Sequence, residues 1–420
     1  MVVELINTGS ELMLGRVLNT HQQWLCRKLA DKGYVVSRQV AVADTGPTIE
    51  QAVREALTRA DLIIATGGLG PTSDDRTRDI IAELLGRALR EDSEVLAHIK
   101  QFFDVRKRPM PERVRIQALV PEGALVLPNP HGTAPGLALA VQPNPFRRGA
   151  TGSWLIMLPG PPRELRPMFV DSVEPLLLRE LPNEVPFICT TLRTSGIGES
   201  IVEEKIAEPL APLIAVGLEV GYCARPGAVD VRLSARGPQA ASLVQEAEAV
   251  VRPRLGARIF AEGEKDLSVV IIKELTKRNK TLALAESCTG GLIAHELTNV
   301  PGASLVLLAG IVAYSNEAKQ KFLGVQNATL EEHGAVSEAV VRQMAEGARE
   351  RTSADYAISV TGIAGPGGGT ISKPVGTVFV GLAGPFETVV EHYFNPYDRE
   401  TFKQITAHQA LELLRRKVLL

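Results

Sequence analysis

Cysteine is scarce in this sequence, and its four copies lie far apart at Cys26, Cys189, Cys223 and Cys288. No two of them form a C-x-x-C pair, so neither a disulfide framework nor a zinc site is expected. Cys288 stands beside Ser287, but a small buried thiol is the expected state of a free cysteine. This pattern fits a reducing compartment, and we expect the protein to be cytoplasmic.

Long apolar runs and long basic runs are also missing. No apolar run reaches the ~18 residues that a transmembrane helix requires, and the start of the chain, MVVELI, lacks the segments of a signal peptide. The formal net charge is -2, so bulk electrostatics gives no argument for a membrane or nucleic-acid partner. Small-molecule ligands are the expected partners.

Length and element pattern indicate several domains. A chain of 420 residues exceeds one ordinary core. Near the N-terminus, apolar strands alternate with amphipathic helices, which predicts a parallel, doubly wound sheet. A middle region pairs strand patterns with helices, and strand-to-helix patterns return after it. We therefore predict domains over residues 1–170, 171–264 and 265–420.

Residues 283–291 (ALAESCTGG) place a small hydroxyl residue where a strand turns into a helix. Residues 281–285 are short and apolar like a buried strand, and apolar residues recur at helical spacing after Gly291. Backbone N–H groups are unpaired at such a turn, so it suits a phosphate or a serine that attacks a carbonyl. Ser287 is either such a nucleophile or a helix cap beside a glycine turn.

Two later stretches bring polar groups to equivalent positions. In residues 310–319 (GIVAYSNEAK) a strand ends and a helix begins, so Tyr314 and Lys319 can both reach a shared pocket. In residues 359–369 (SVTGIAGPGGG) a strand continues into a glycine-rich loop that allows a ligand to approach the backbone. These strand ends predict a site at the carboxyl edge of a sheet.

An N-terminal counterpart lies in residues 66–75 (TGGLGPTSDD). Its glycines and helix start suit a phosphate, but Asp74 and Asp75 would repel that phosphate. A hard divalent ion held by carboxylates and phosphate oxygens would remove the repulsion. Alternatively, the two acids only favour the first turn of a helix. Glu164, in a later Gly/Pro-rich loop, either adds a carboxylate to this site or caps the helix that follows.

The three C-terminal stretches closely resemble the C-terminal domain of the CinA family (competence/damage-inducible protein A), which is similar to nicotinamide mononucleotide deamidase. The resemblance implies that Ser287 is the nucleophile and that Tyr314 and Lys319 activate it. It implies no cofactor for this reaction, and it assigns Arg399 to the substrate phosphate. The further substrate-binding residues that it implies are Glu286, Thr289, Gly290, Gly291, Asn316, Thr361, Gly362 and Gly365.

The N-terminal loops resemble the N-terminal domain of the same family, which is similar to molybdopterin-binding proteins of the MoaB/MogA type. That domain is associated with a metal-dependent ADP-ribose pyrophosphatase activity, and the resemblance implies that Asp74 and Asp75 hold a divalent metal ion. His21 stands where Asn is expected in the family's N-T-N segment, which leaves the acidic residues untouched. The implied substrate contacts are Glu11, Thr66, Gly67, Gly68, Ser73 and Glu164.

The middle region resembles the small KH-like domain of the family. KH domains that clamp RNA use a G-x-x-G loop, and the segment at 196–198 lacks that spacing, so no nucleic-acid role is expected. The implied fold class is α/β: a doubly wound molybdopterin-binding-like domain, an α+β KH-like domain and a C-terminal α/β deamidase domain. We also expect a homodimer.

One residue departs from the family pattern, and the departure concerns substrate affinity. Where the family has a second arginine four residues after Arg399, this chain has Lys403, which is cationic but lacks the bidentate fork of arginine. The favoured interpretation is a pyridine-nucleotide salvage enzyme with two activities, acting on nicotinamide mononucleotide and ADP-ribose. The alternatives are a competence-associated nucleotide sensor without turnover and a molybdopterin-binding protein.

Overall fold

The computed structural model describes residues 1–149, 152–182 and 185–420. The chain forms two compact units, Met1–Phe187 and Ile188–Leu420. Across these described ranges, no helix combines the length and the apolar character that crossing a membrane demands.

The first unit is built on a six-stranded sheet, counted over the described residues. The strands of the first unit, inside and outside this sheet, are β1 (Val3–Thr8), β2 (Val36–Val42), β3 (Leu62–Thr66), β4 (Leu89–Glu91), β5 (Leu119–Pro121), β6 (Leu125–Leu127), β7 (Gly136–Val141) and β8 (Ser153–Leu158). Its helices are α1 (Ser10–Met13), α2 (Thr20–Asp31), α3 (Gly46–Leu57), α4 (Thr77–Leu84), α5 (Ser93–Val105), α6 (Pro162–Met168) and α7 (Glu174–Glu180).

This sheet is doubly wound, as the sequence predicts. The strand order is β2-β1-β3-β8-β7-β6, with parallel pairing from β2 to β8 and antiparallel pairing of β7 and β6. In β3, Leu62 and Ile64 join one apolar cluster, whereas Ile63 and Ala65 join the other. Because successive strand residues point to opposite faces, this continuous apolar run indicates burial on both sides.

The predicted end of the first domain at residue 170 is too early. Leu176 and Leu177 of α7, together with Val173 just before it, join the cluster that also holds Leu5 and Ile64 of the central strands. These side chains complete the helical layer over one face of the sheet. Residues 171–180 therefore belong to the core of the first unit, and not to the middle domain.

The second unit begins with the KH-like α+β region. The elements of this region are β9 (Phe187–Ser195), α8 (Glu199–Ala215), β10 (Leu218–Arg225), β11 (Ala228–Arg236), α9 (Ala240–Leu255) and β12 (Ile259–Glu262). The strand order is β10-β11-β9-β12, and β10 and β11 form an antiparallel hairpin. Helix α8 buries Val202, Ile206 and Leu210 on one face at helical spacing.

The rest of the second unit is a layered α/β domain. Its strands are β13 (Leu282–Glu286), β14 (Leu307–Val312), β15 (Tyr356–Gly362), β16 (Thr377–Ala383) and β17 (Thr388–Phe394). Its helices are α10 (Leu267–Lys277), α11 (Leu292–Thr298), α12 (Asn316–Leu323), α13 (Asn327–His333), α14 (Glu338–Thr352) and α15 (Arg399–Leu414).

Strand β13 lies between β14 and β15 in this sheet, whose order is β14-β13-β15-β16-β17. It pairs in parallel with both β14 and β15, and β16 and β17 add an antiparallel edge. In β13, Leu282 and Leu284 pack on one face while Ala283 and Ala285 pack on the other. The carboxyl ends of the three parallel strands therefore meet at one edge, where their loops adjoin.

Candidate functional site

Ser287 follows the last residue of β13 directly and is anchored to the neighbouring strand. Its backbone N–H donates to the Val360 carbonyl at 3.1 Å, and its side chain is buried, with 8% of the residue exposed. Gly290 and Gly291 have φ of 62° and 95°, which L side chains rarely adopt. These glycines allow the chain to turn sharply from the strand into α11 and leave Ser287 at the sheet edge.

The expectation that Ser287 caps this helix is wrong, because Glu286 does so. One oxygen of the Glu286 carboxylate accepts the Gly291 N–H at 2.9 Å and the Ile293 N–H at 3.2 Å, and the other accepts the Ala294 N–H at 2.9 Å. The predicted role of Glu286 in substrate binding is therefore replaced by a structural one. The Ser287 hydroxyl is left for another partner.

That partner is Lys319, which is itself buried, with 2% of the residue exposed. Its Nζ donates to Ser287 Oγ at 3.1 Å, to the Ala313 carbonyl at 3.0 Å and to the Tyr314 carbonyl at 3.2 Å. Burial lowers the pKa of Lys319, against an opposing influence of the Cys288 thiol. The structure thus brings the serine and the lysine of the prediction into direct contact.

Cys288 points away from this chemistry. Burial raises the pKa of its thiol to about 12, so the thiolate that would act as a nucleophile is strongly disfavoured. The side chain joins the apolar cluster beneath the site. The expectation of a small, buried cysteine is confirmed.

Tyr314 is predicted to activate Ser287, but its hydroxyl contacts Arg399 instead. Its side chain is 60% exposed, and its hydroxyl accepts a hydrogen bond from Arg399 at 2.7 Å. A second Arg399 nitrogen donates to the Gly365 carbonyl at 2.8 Å. The phenol therefore orients the arginine, while the Tyr314 backbone carbonyl orients Lys319.

Two cations of α15 face the serine loop. Arg399 opens the helix and Lys403 lies one turn further on the same side. The Lys403 ammonium is 3.9 Å from the position that a Cβ would occupy on Gly290. Asp398, which the sequence analysis missed, caps this helix through the N–H groups of Glu400 and Thr401 at 3.0 and 3.1 Å. An Asp before a predicted helix is the signal that identifies such a cap.

Other predicted contact residues form hydrogen bonds inside the protein. Thr289 donates its hydroxyl to Glu286 at 2.7 Å, and Thr361 donates its own to the Ala335 carbonyl at 2.9 Å. Both are buried, so their side chains are committed inside the protein. At Gly362 a Cβ would lie 2.9 Å from the Thr377 carbonyl, which explains the glycine. Asn316 is exposed at the start of α12.

The N-terminal loop 66–75 borders a separate cavity of about 390 Å³ in the first unit. Gly67 and Gly68 have φ of 96° and 67°, and a Cβ on Gly67 would lie 2.7 Å from the Thr8 carbonyl. A Cβ on Gly68 would collide with the Thr77 side chain. The close turn therefore requires glycine at both positions, as the resemblance implies.

This cavity is acidic. Among the described residues that line it, no lysine or arginine occurs, and the carboxylates are Glu11, Asp44, Asp74, Asp75 and Glu164. Asp75 accepts hydrogen bonds from the backbone N–H and the hydroxyl of Thr72, and the Thr72 hydroxyl also lowers the pKa of the exposed Asp74. Glu164 accepts from Asn129 at 2.9 Å. The expectation that Asp74 and Asp75 form the first turn of a helix is wrong, because α4 begins at Thr77.

Two predicted contact residues do not line the cavity. Thr66 is buried, and its hydroxyl oxygen accepts from Asn7 at 2.7 Å, so it joins adjacent strands. Ser73 is exposed in the loop. Within the described ranges, no three His, Cys, Asp or Glu side chains converge closely enough to hold a metal ion by themselves. Any ion here needs oxygen ligands from the substrate as well.

Three family models match the chain. They are described as "Probable molybdopterin binding domain", matching residues 4–179, "Damage-inducible protein CinA KH domain", matching 190–261, and "CinA C-terminal domain", matching 264–418. The fold and the buried Ser287–Lys319 contact define a multidomain α/β protein, which also has an acidic cavity of about 390 Å³ in its first unit.

Sequence relatives specify the family. A CinA-like protein of Akkermansia muciniphila is 45% identical over 97% of this chain and 95% of its own. A CinA-like protein of Gemmatimonas aurantiaca is 40% identical over 99% of this chain and 96% of its own. The crystal structure of the competence/damage inducible protein CihA from Agrobacterium tumefaciens is 41% identical and covers 36% of this chain and 92% of its own, with a TM-score of 0.35. The chain belongs to the CinA family.

Proposed function

We propose that the C-terminal domain is an amidohydrolase that converts nicotinamide mononucleotide to nicotinate mononucleotide and ammonia, a reaction of pyridine-nucleotide salvage. The observation that carries the proposal is the contact of 3.1 Å between Lys319 Nζ and Ser287 Oγ. A serine becomes a nucleophile towards an amide when an adjacent base accepts its proton. Burial favours the neutral amine, which is the form able to act as that base.

The surroundings of Lys319 accommodate both protonation states of the amine. An ammonium donates to Ser287 Oγ and to the carbonyls of Ala313 and Tyr314. A neutral amine has two N–H bonds and one lone pair. The two carbonyls can only accept and would keep the N–H bonds, whereas the Ser287 hydroxyl can rotate and donate to the lone pair.

The proton then follows a closed cycle. As Ser287 Oγ attacks the carboxamide carbon, its proton moves to Lys319 Nζ. The C–N bond breaks, and ammonia leaves with that proton, so that an ester of Ser287 remains. Water attacks the ester and gives a proton to Nζ, which returns it to Oγ when the carboxylic acid product is released.

The substrate phosphate is proposed to bind at the start of α15. Arg399 is held by Tyr314 and Gly365, and the ammonium of Lys403 lies beside Gly290. A guanidinium and an ammonium together offer several charge-assisted donors to a phosphate. Since Lys403 lies beside the loop that follows Ser287, a phosphate bound by these two cations would leave the carboxamide end of the nucleotide to Ser287.

The direct test is product analysis. The protein is incubated with nicotinamide mononucleotide, and the products are identified by mass and by ammonia release. Ammonia with nicotinate mononucleotide supports the proposal. Binding of the nucleotide without turnover would instead indicate a sensor, the first alternative function. Copurification of a pterin would favour the second alternative, a molybdopterin-binding protein.

Deamidation is expected to become faster as the pH rises through the folded-state pKa of Lys319. Burial lowers this pKa from the ordinary value of 10.5, and only the unprotonated amine accepts the Ser287 proton. The neutral fraction falls as the pH decreases, so kcat/KM should show an acidic limb set by Lys319. Ammonia release measured from acidic to alkaline pH checks this, and a flat profile would contradict a lysine base.

We propose a second activity for the first unit, metal-dependent ADP-ribose hydrolysis. The observation that favours it is the acidic cavity, in which five carboxylates and the positive-φ glycines of the loop 66–75 occur without a lining lysine or arginine. A diphosphate cannot enter such a field without a cation. Hard carboxylate oxygens suit a divalent ion, which Asp74 and Asp75 would hold together with phosphate oxygens. Such an ion would supply charge neutralisation at the diphosphate.

A chelator is expected to abolish ADP-ribose hydrolysis and to leave deamidation within about twofold of its initial rate. The first cavity needs a cation, whereas the proposed deamidase cycle uses only Ser287 and Lys319. Both activities are measured on one preparation before and after chelation, and divalent metal is then added back. Equal loss of both activities would contradict two separate sites.

A further inference from the structure

We propose that Glu286 is a positioning residue for the nucleophile, which acts by holding the loop 287–291 and never contacts the substrate. This inference rests on the proposed deamidase function, and it concerns how Ser287 is presented. Glu286 ends the central strand β13, where its backbone pairs with Val312 on one side and Val360 on the other. Its side chain is buried, with 1% of the residue exposed.

Both carboxylate oxygens are fully used. Oε2 accepts the Thr289 hydroxyl at 2.7 Å, the Gly291 N–H at 2.9 Å and the Ile293 N–H at 3.2 Å, and Oε1 accepts the Ala294 N–H at 2.9 Å. These bonds connect the end of the strand to the middle and the end of the loop. The five residues 287–291 are therefore closed into a ring around one carboxylate.

An ionised carboxylate suits this place better than a neutral group. Removing a carboxylate from water is costly unless donors surround it. Four donors do so here, and hydrogen bonds to a charged acceptor are stronger than those to a neutral one. An amide at the same position would turn its NH₂ group towards a backbone N–H. Both groups are donors, so no hydrogen bond would form between them.

The consequence for Ser287 is release from capping. A serine at a helix start can itself accept such N–H groups, but Ser287 lies four, six and seven residues ahead of Gly291, Ile293 and Ala294, and the longer Glu286 side chain reaches them instead. Because Glu286 already satisfies those of Gly291, Ile293 and Ala294, Ser287 Oγ remains available to Lys319 at 3.1 Å. The strand fixes the Ser287 backbone through Val360, and Glu286 fixes the loop that follows.

The test is Glu286→Gln, with kcat and KM for nicotinamide mononucleotide measured separately. We expect kcat to fall about 10- to 100-fold, the range typical of groups that orient a reacting group, while KM changes less than about threefold. Thr289→Val removes one of the four donors and keeps the shape of the side chain, so it should lower kcat in the same direction by a smaller factor. It also serves if Glu286→Gln does not fold.

A second readout is independent of the substrate. A fluorophosphonate probe reacts with an activated serine, and its labelling of Ser287 should slow by about the same factor as kcat in Glu286→Gln. Ser287→Ala defines the background labelling. If the wild-type protein releases no ammonia, the proposed function fails, and labelling still reports whether Glu286 positions the serine.

Two results would overturn the proposal. A rise in KM at unchanged kcat, with unchanged labelling, would mean that Glu286 binds the substrate. Unchanged kcat, KM and labelling in a folded Glu286→Gln protein would mean that the hydroxyl is positioned without it.

Discussion

Ser287→Ala should lower the rate of ammonia release from nicotinamide mononucleotide by roughly four to six orders of magnitude, as loss of a catalytic serine does in other hydrolases. The adjacent Cys288 cannot replace the serine, because burial raises the pKa of its thiol to about 12 and its side chain packs into the core. Stability should fall only by about 1 kcal/mol, since one hydrogen bond to Lys319 is lost and no helix cap is removed. Turnover and melting temperature are measured on the same preparation.

Ser337 provides a matched control, since it is also 8% exposed but is a true cap. Its hydroxyl oxygen accepts the Val340 N–H at the start of α14. Ser337→Ala should lose about 1 kcal/mol of stability and keep nearly normal turnover. If Ser287→Ala behaved like Ser337→Ala, the nucleophile would have to be an activated water, and the covalent cycle would be abandoned.

Lys319→Met should reduce deamidation by a similar factor, and the double variant with Ser287→Ala should be little worse than either single variant. Residues that act as one unit give non-additive losses, and these two side chains share one proton. Methionine fills the volume of the buried chain but has no lone pair of comparable basicity. The measurement is kcat for all three variants under identical conditions.

Lys321 is the control for Lys319, because it lies two residues further along α12 and is exposed. Lys321→Met should leave kcat unchanged. Additive losses in the Ser287→Ala/Lys319→Met double variant would show that the two groups act independently, which contradicts a shared proton.

Much of the fold could be predicted because both faces of the central strands are apolar. The run at Leu62–Thr66 and the strand before Ser287 are legible as buried strands on that basis alone. The end of the first domain was misplaced because the apolar residues of α7 indicate a helix but do not say which core they join. The full length of helix α8 is harder to predict, because Pro209 and Pro212 lie inside it and proline is disfavoured in a helix interior, yet Leu210 between them is buried.

At the site, the sequence indicates which residues lie near one another better than it indicates which atoms of those residues are in contact. The strand ends indicate that Ser287 and Lys319 share one sheet edge, and the family resemblance adds Arg399 to the site. The sequence does not reveal that Tyr314 meets Arg399 through its hydroxyl and Lys319 through its carbonyl. Nor does it distinguish which of two adjacent side chains, Glu286 or Ser287, takes the free helical N–H groups. That choice depends on side-chain reach in three dimensions, which spacing along the chain does not encode.

The burial of Lys319 also has a thermodynamic consequence for folding. Because its folded-state pKa is lowered, the unfolded chain binds a proton more readily than the folded chain does between the two pKa values. Stability therefore increases with pH through that interval, and below the folded-state pKa the full penalty of the buried charge is present. The contribution of Lys319 to stability is thus smaller at low pH than at high pH, a trade of conformational stability for reactivity.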